Sequence, residues 1–279
     1  MNVVVGMGEL ETKQQRLEEQ LAKLSSLIVA YSGGVDSAYL AYAAHRTLGD
    51  RMLAVTALSA SYSARDRAEA EKCVERFHFP HEFIETDELD NPSYRANQGD
   101  RCYFCKDELF AKLDAMAGQR GFAVVAYGIN KDDLGDWRPG QQAAREHKVL
   151  TPLLDAGMTK ADIRELSRQV NLPVWDRPAS ACLSSRIAYG IEVTPERLAV
   201  VEKGEEVLRQ LGFRQLRVRY HGELARIEIS REELPRALDP AMARQFVNSF
   251  KALGFKFVTL DLEGFRSGSM NSLLVSIEK

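Results

Sequence analysis

Residues 26–37 read Ser-Leu-Ile-Val-Ala-Tyr-Ser-Gly-Gly-Val-Asp-Ser, and this run restricts the fold more than any other part of the chain. Leu27, Ile28, Val29 and Ala30 form a short continuous apolar segment, the pattern of a buried parallel strand. Gly33-Gly34 then permits a sharp turn that residues with side chains resist. A helix follows, with Asp36 and Ser37 in its first turn. Strand, glycine turn and helix N-terminus together aim several backbone N–H groups, and the positive end of a helix dipole, at one point. That point suits an anion, and the hydroxyls of Ser32 and Ser37 can supplement it. No Gly-Lys-Ser/Thr follows, so the loop is not a Walker A motif.

At 279 residues the chain has room for one large domain or two ordinary ones. Its 45% apolar and 28% charged residues suit a globular protein with a true core. No uninterrupted apolar stretch reaches the roughly 18 residues of a membrane span. The first ten residues lack a basic n-region and a proper h-region, so neither a signal peptide nor a membrane partner is expected. The formal net charge of −3 speaks against a dedicated nucleic-acid binder. Four cysteines in such a chain, without a secretory signal, point to a reducing, cytoplasmic setting with thiols kept for chemistry.

The pattern alternates. Glu9–Leu24 has helical period, Met52–Leu58 reads as a strand, Ser63–Phe79 as a helix and Glu82–Glu85 as a short strand. Lys106–Arg120 reads as a helix, Phe122–Gly128 as a further buried strand, and a helix begins at Thr159 with Asp162 in its first turn. Strands alternating with helices predict an α/β fold built on a doubly wound, mostly parallel sheet, with the ligand at the carboxyl ends of the strands. From Thr194 the pattern becomes a helix to Leu211, paired strands Leu216–Tyr220 and Ala225–Ile229, a helix over 240–253 and a last strand Phe255–Leu260. This predicts a smaller α+β domain over 191–279 after a first domain over 1–190.

Cys102-Tyr-Phe-Cys105 places two thiols at a helix start, within reach of one metal centre and where thiolate is favoured. Cys182 lies in a loop bracketed by Pro173 and Pro178, and Cys73 has the spacing of a core residue. A redox pair, a zinc site and an iron–sulfur cluster on three cysteines all remain open on the residues alone.

The assembled blocks carry a resemblance. SGGVDS matches the PP-loop of ATP pyrophosphatases. With GINKDDLGDWRPG (128–140), ASACLSSR (179–186), RVRYHGELARIEI (217–229) and TLDLEGFRSGSMN (259–271), the chain resembles the LarE-type ATP-dependent sulfur transferases. The resemblance implies a PP-loop, adenine nucleotide alpha hydrolase-like fold. It also implies that ATP is split to AMP and pyrophosphate while a carboxylate of pyridinium-3,5-biscarboxylic acid mononucleotide is adenylylated, on the way to the nickel-pincer nucleotide. Carried over residue by residue, it implies ATP at Ser32, Gly33, Gly34, Asp36, Ser37 and Gly128, with Mg2+ near Asp36. In sacrificial members one cysteine, matched by Cys182, surrenders its sulfur. The added Cys102 and Cys105 make this chain look like the branch that holds a [4Fe–4S] cluster on three cysteines. A homo-oligomer, a hexamer by resemblance, and a protein that supplies sulfur would be its partners. The rival readings are a tRNA thiolase, which the acidic balance disfavours, an amidating synthetase, which lacks a glutaminase domain here, and a non-enzymatic ATP-gated iron–sulfur sensor.

Further candidates have bland readings beside functional ones. Asp132, Asp133 and Asp136 follow the FAVVAYG strand at the ligand edge, where they could hold magnesium or simply form a solvated loop. Arg138, Arg186, Arg217, Arg219 and Arg266 are candidate phosphate or carboxylate clamps, since guanidinium pairs bidentately with both. Arg217 and Arg219 alternate on one strand face and so could meet one anion together.

Overall fold

The computed structural model describes residues 4–134, 139–178 and 181–266. In chain order the elements are α1 (Val4–Ala22), β1 (Leu27–Ala30), α2 (Val35–Leu48), β2 (Met52–Leu58), α3 (Ala64–Phe77), β3 (His81–Glu85), α4 (Pro92–Arg95), α5 (Arg101–Arg120), β4 (Val124–Tyr127), α6 (Pro139–Glu146), α7 (Pro152–Asp155) and α8 (Lys160–Gln169). They continue with α9 (Pro195–Gln210), β5 (Leu216–His221), β6 (Leu224–Ile229), α10 (Leu234–Ala237), α11 (Pro240–Ala252) and β7 (Phe257–Leu260). No helix among the described residues is long and apolar enough to cross a membrane.

The chain divides into two compact units: Met1–Asp87 with Cys102–Ser180, and Glu88–Arg101 with Ala181–Lys279. This differs from a single cut near residue 190. The segment carrying α4 joins the second unit because its polar groups are used there: Asn97 Nδ2 donates to the carbonyls of Ala188 and Ile191 at 2.8 and 3.0 Å, and Tyr94 shares a 2.6 Å hydrogen bond with the Ser184 hydroxyl.

The first unit holds a four-stranded, wholly parallel sheet in the order β3-β2-β1-β4. Strand β1 is buried on both faces. Leu27 and Val29 enter one core with α1, α2 and α8 residues such as Leu17, Leu40 and Ile163, and Ile28 and Ala30 enter a second core with Phe110 and Leu113 of α5. Such double coverage explains why β1 reads as an unbroken apolar run. The expected doubly wound α/β sheet is therefore present. Helix α5 begins at Arg101 rather than Lys106, so Cys102 and Cys105 fall inside its first turns.

Two contacts of α5 with α6 and the residue after it fix that helix. Tyr103 donates its hydroxyl proton to Glu146 at 2.7 Å, and His147 bridges Asp107 (Nε2, 3.0 Å) and Asp114 (Nδ1, 2.7 Å). Gly140, in the first turn of α6, lies so close that an added Cβ would sit 3.2 Å from the Cys102 carbonyl and 2.9 Å from Lys106 Cγ.

The second unit pairs β5 with β6 as an antiparallel hairpin through Gly222 (φ +70°), and β7 adds parallel to β6. Helices α9 and α11 cover one sheet face through Leu208, Phe246 and Phe250, which pack with Val218, Ile227 and Ile229. Thr194 caps α9 and Pro195 occupies its first position, as the Thr-Pro-Glu sequence predicts.

Burial acts to lower the His147 pKa, but its bonds to Asp107 and Asp114 outweigh this and raise it above the ordinary value. A raised histidine pKa stabilises the fold fully below the unfolded value of about 6.5, and that stabilisation is lost as pH rises through the folded value. The stability difference between wild type and His147→Ala in urea titrations is therefore expected to be larger near about pH 6 than near about pH 9; a difference that grows with pH contradicts the assignment.

Candidate functional site

The loop between β1 and α2 is shaped by close approach. Gly33 has φ +73°, and a Cβ there would stand 2.8 Å from the Cβ of Ala70, so glycine is required by both conformation and space. The Ser37 hydroxyl donates to the Gly34 carbonyl (3.1 Å) and lies 3.0 Å from the Ser32 hydroxyl, while Ser32 N–H donates to Ser37 Oγ at 3.1 Å. Gly34 caps α2 in extended conformation, leaving first-turn N–H groups without intrahelical acceptors. Gly128, just past β4, backs this turn: a Cβ would lie 2.7 Å from the Ser37 nitrogen and 2.9 Å from the Asp36 carbonyl carbon. Ser32, Gly33, Gly34, Ser37 and Gly128 thus meet at the carboxyl edge of the sheet.

Asp36 is the charged centre of that edge. Its carboxylate pairs with the Lys160 ammonium, from the first position of α8, while Oδ1 is buried without a hydrogen bond. Burial pushes its pKa above the ordinary carboxylate value; Lys160 chiefly opposes the rise and the nearby Asp133 carboxylate adds to it. Asp133 Oδ2 accepts from Asn130 N–H at 3.1 Å, completing a capping box over the 3-10 turn 131–133, and Asp132 Oδ2 accepts from Lys160 N–H at 2.8 Å. Asp36, whose buried Oδ1 lacks a hydrogen bond, and the nearby Asp133 are the carboxylates at this edge that could hold a divalent cation. Asp136 and Arg138 lie outside the described residues.

Cys102 is exposed and Cys105 half-buried, three residues apart on α5, and neither is in a disulfide. Cys73 is fully buried, as its spacing predicts. Among the described residues no group of three or more His, Cys, Asp and Glu side chains gathers as a metal site.

In the second unit Arg186, Arg209, Arg217, Arg219 and Arg226 form a network around two buried carboxylates. Arg186 Nε donates to Glu205 at 2.9 Å, their side chains only 3% and 2% exposed, and Arg209 bonds the other Glu205 oxygen at 2.8 Å. Burial acts to raise the Glu205 pKa, but Arg186, Arg217 and Arg209 outweigh it and hold the carboxyl below its ordinary value. Across the hairpin, fully buried Glu228 accepts from Arg219 (2.8 Å) and Arg226 (3.1 Å). Burial, with Arg186 beside it, lowers the Arg217 pKa to about 10, against the opposing pull of Glu205. Arginines outnumber carboxylates here, which suits an anionic ligand. Arg266 is exposed and holds Glu263 in a two-pronged pair, apart from this network. Half-buried Cys182 precedes the 3-10 turn Leu183–Arg186.

Over 274 residues, 98% of each chain, the sequence is 35% identical to the pyridinium-3,5-bisthiocarboxylic acid mononucleotide synthase of Lactiplantibacillus plantarum. The chain belongs to this LarE-type family. An uncharacterized protein of Synechocystis sp. is 42% identical over 95% of this chain and 99% of its own. One of the subunits of the glutamine-hydrolyzing GMP synthase of Thermococcus kodakarensis is 26% identical over 72% of this chain and 69% of its own. No family model matches the chain. The LarE-type residues read from sequence divide between the units: the phosphate-loop group with Asp36 and Asp133 in the first, and Arg186, Arg217, Arg219 and Cys182 in the second. Lys160, Glu205 and Glu228 are not singled out by the sequence. Only the capping pattern Thr159-Lys-Ala-Asp162 marks the first of these, by placing Lys160 at the start of a helix.

Because the atoms facing Gly128 are backbone, they cannot swing aside. Gly128→Ala is expected to lower stability by about 1–3 kcal/mol in urea denaturation; an unchanged midpoint would show that the loop and β4 separate freely.

Proposed function

We propose that this LarE-family chain is an ATP-dependent sulfur transferase acting on pyridinium-3,5-biscarboxylic acid mononucleotide in nickel-pincer nucleotide synthesis. The observation that carries the reading is the full-length likeness to the bisthiocarboxylate synthase, in a chain whose glycine loop, Asp36 and Lys160 meet at the sheet edge. A carboxylate oxygen of the substrate attacks the α-phosphorus of ATP, the bond to pyrophosphate breaks, and an acyl-adenylate forms. Sulfur then attacks the acyl carbon and AMP leaves with the bonding electron pair.

In this reading the loop N–H groups with the Ser32 and Ser37 hydroxyls receive the phosphates, and Lys160 turns from Asp36 towards developing pyrophosphate charge. Asp36 and Asp133 would hold magnesium, which screens phosphate charge when bound. Arg217 and Arg219 would hold the substrate's anionic groups. On the family resemblance Cys102, Cys105 and Cys182 would be the thiolate donors of an iron–sulfur cluster, which would supply the sulfur to be transferred.

Pyrophosphate release that requires both ATP and the pyridinium biscarboxylate tests the assignment; ATP binding without cleavage would point to a sensor. Lys160→Ala is expected to slow that release by about 100-fold with the fold unchanged by circular dichroism, and a rate within about twofold removes Lys160 from the reaction. For the sulfur source, the anaerobically reconstituted chain is expected to bind iron, to lose it in Cys102→Ala/Cys105→Ala, and to keep its mass through turnover. A wild-type chain that binds no iron and lightens by about 34 Da per turnover would instead mark Cys182 as the sacrificed donor.

A further inference from the structure

Four carbonyls of the five-residue stretch around Cys182 are held by arginines. Arg186 Nη1 donates to the carbonyls of Ala181 and Cys182, the latter at 2.8 Å. Arg101 Nη1 donates to the Ser184 carbonyl at 2.9 Å, and Arg219 Nη1 to that of Ser185 at 3.1 Å. The Cys182 oxygen is the most heavily bonded of these. Besides Arg186 it accepts from Ser185 N–H at 3.0 Å and the Ser185 hydroxyl at 2.8 Å. A carbonyl has two lone pairs, so three donors saturate it and fix the plane of the following peptide. That plane sets ψ of Cys182, here 156°, and with it the direction of the Cα–Cβ bond that carries the sulfur.

We propose that Arg186 is the positioning residue of Cys182: a guanidinium anchored by buried Glu205 that holds the cysteine's carbonyl and so aims its thiol. Its Nε is committed to Glu205 and its Nη1 to backbone oxygens, with the side chain 3% exposed, so it is built to hold the loop rather than to meet an incoming anion. The buried pair gives the loop a rigid post, because moving the guanidinium away would leave both charges uncompensated out of water. The proposal rests on the reading that Cys182 carries or holds the transferred sulfur, where a misplacement of about 1 Å costs about 100-fold in rate.

Arg186→Lys keeps the charge beside Glu205 but lacks the planar fork that bonds the carboxylate and two carbonyls together. On the reduced, metal-free full chain, iodoacetamide alkylation is followed by peptide mass spectrometry, with Cys102 as internal reference. The Cys182 rate is expected to rise about threefold or more relative to Cys102 as the loop loosens. In turnover assays kcat for thiocarboxylate formation is expected to fall about 100-fold, with the substrate KM within about twofold. An unchanged alkylation ratio overturns the proposal, and so does a raised KM with kcat retained, which would make Arg186 a substrate ligand. Ser185→Ala removes one donor to the Cys182 carbonyl, together with a hydroxyl that accepts from Arg186 Nη1 at 3.1 Å, and leaves the Arg186–Glu205 pair intact. It is expected to show the same pattern at smaller amplitude, and it decides the matter if Arg186→Lys does not fold, since an unchanged Cys182 rate there overturns the proposal. A wild-type chain that transfers no sulfur defeats the functional reading, while the alkylation ratio still judges the positioning.

Discussion

Strand β1 has no solvated face, and the organisation of the first unit follows from that. Its alternate side chains enter two separate cores, so the strand cannot be released gradually into solvent. The chain leaves at the carboxyl edge through a turn that only glycine can make at Gly33, where Ala70 closes the space a side chain would need. Gly128 closes the same turn from the β4 side. The polar groups next to β1 then collect at its carboxyl edge because both of its faces are apolar. Phosphate-seeking N–H groups, two serine hydroxyls and the Asp36–Lys160 pair all stand there.

Charge removed from water must find a counter-charge, and the two units resolve this with different partners. Burial raises the Asp36 pKa and Asp133 adds to the rise, Lys160 opposes it, and Oδ1 has no hydrogen bond. In the arginine cluster of the second unit, burial, with Arg186 beside it, brings the Arg217 pKa to about 10. One edge is suited to a cation with its phosphates and the other network to an anion.

The parallel sheet is largely legible in the sequence. Strands β1 and β2 have the bounds that their apolar runs predict, and the caps at Thr159 and Thr194 stand where the sequence places them. These features depend on neighbours a few residues away, and the chain carries that information locally. Helix α5 is five residues longer than its sequence pattern, because Cys-Tyr-Phe-Cys has no strong helical signal; Gly140 and Tyr103–Glu146, contacts from beyond the helix, go with the longer form. Chain order groups the segment Glu88–Arg101 with its sequence neighbours, whereas its Asn97 bonds residues more than 90 positions away.

Chemical identity along the chain is enough to name the phosphate loop, the three thiols and the alternating arginines, since each is a property of residue type and short spacing. Which charge faces which is not contained there. Lys160 meets Asp36 across 124 residues, Glu205 reaches Arg186 from another helix, and Glu228 joins Arg219 across a hairpin. Those pairings exist because folding strips water from both partners, and desolvation is a property of the packed interior that no local stretch of sequence contains.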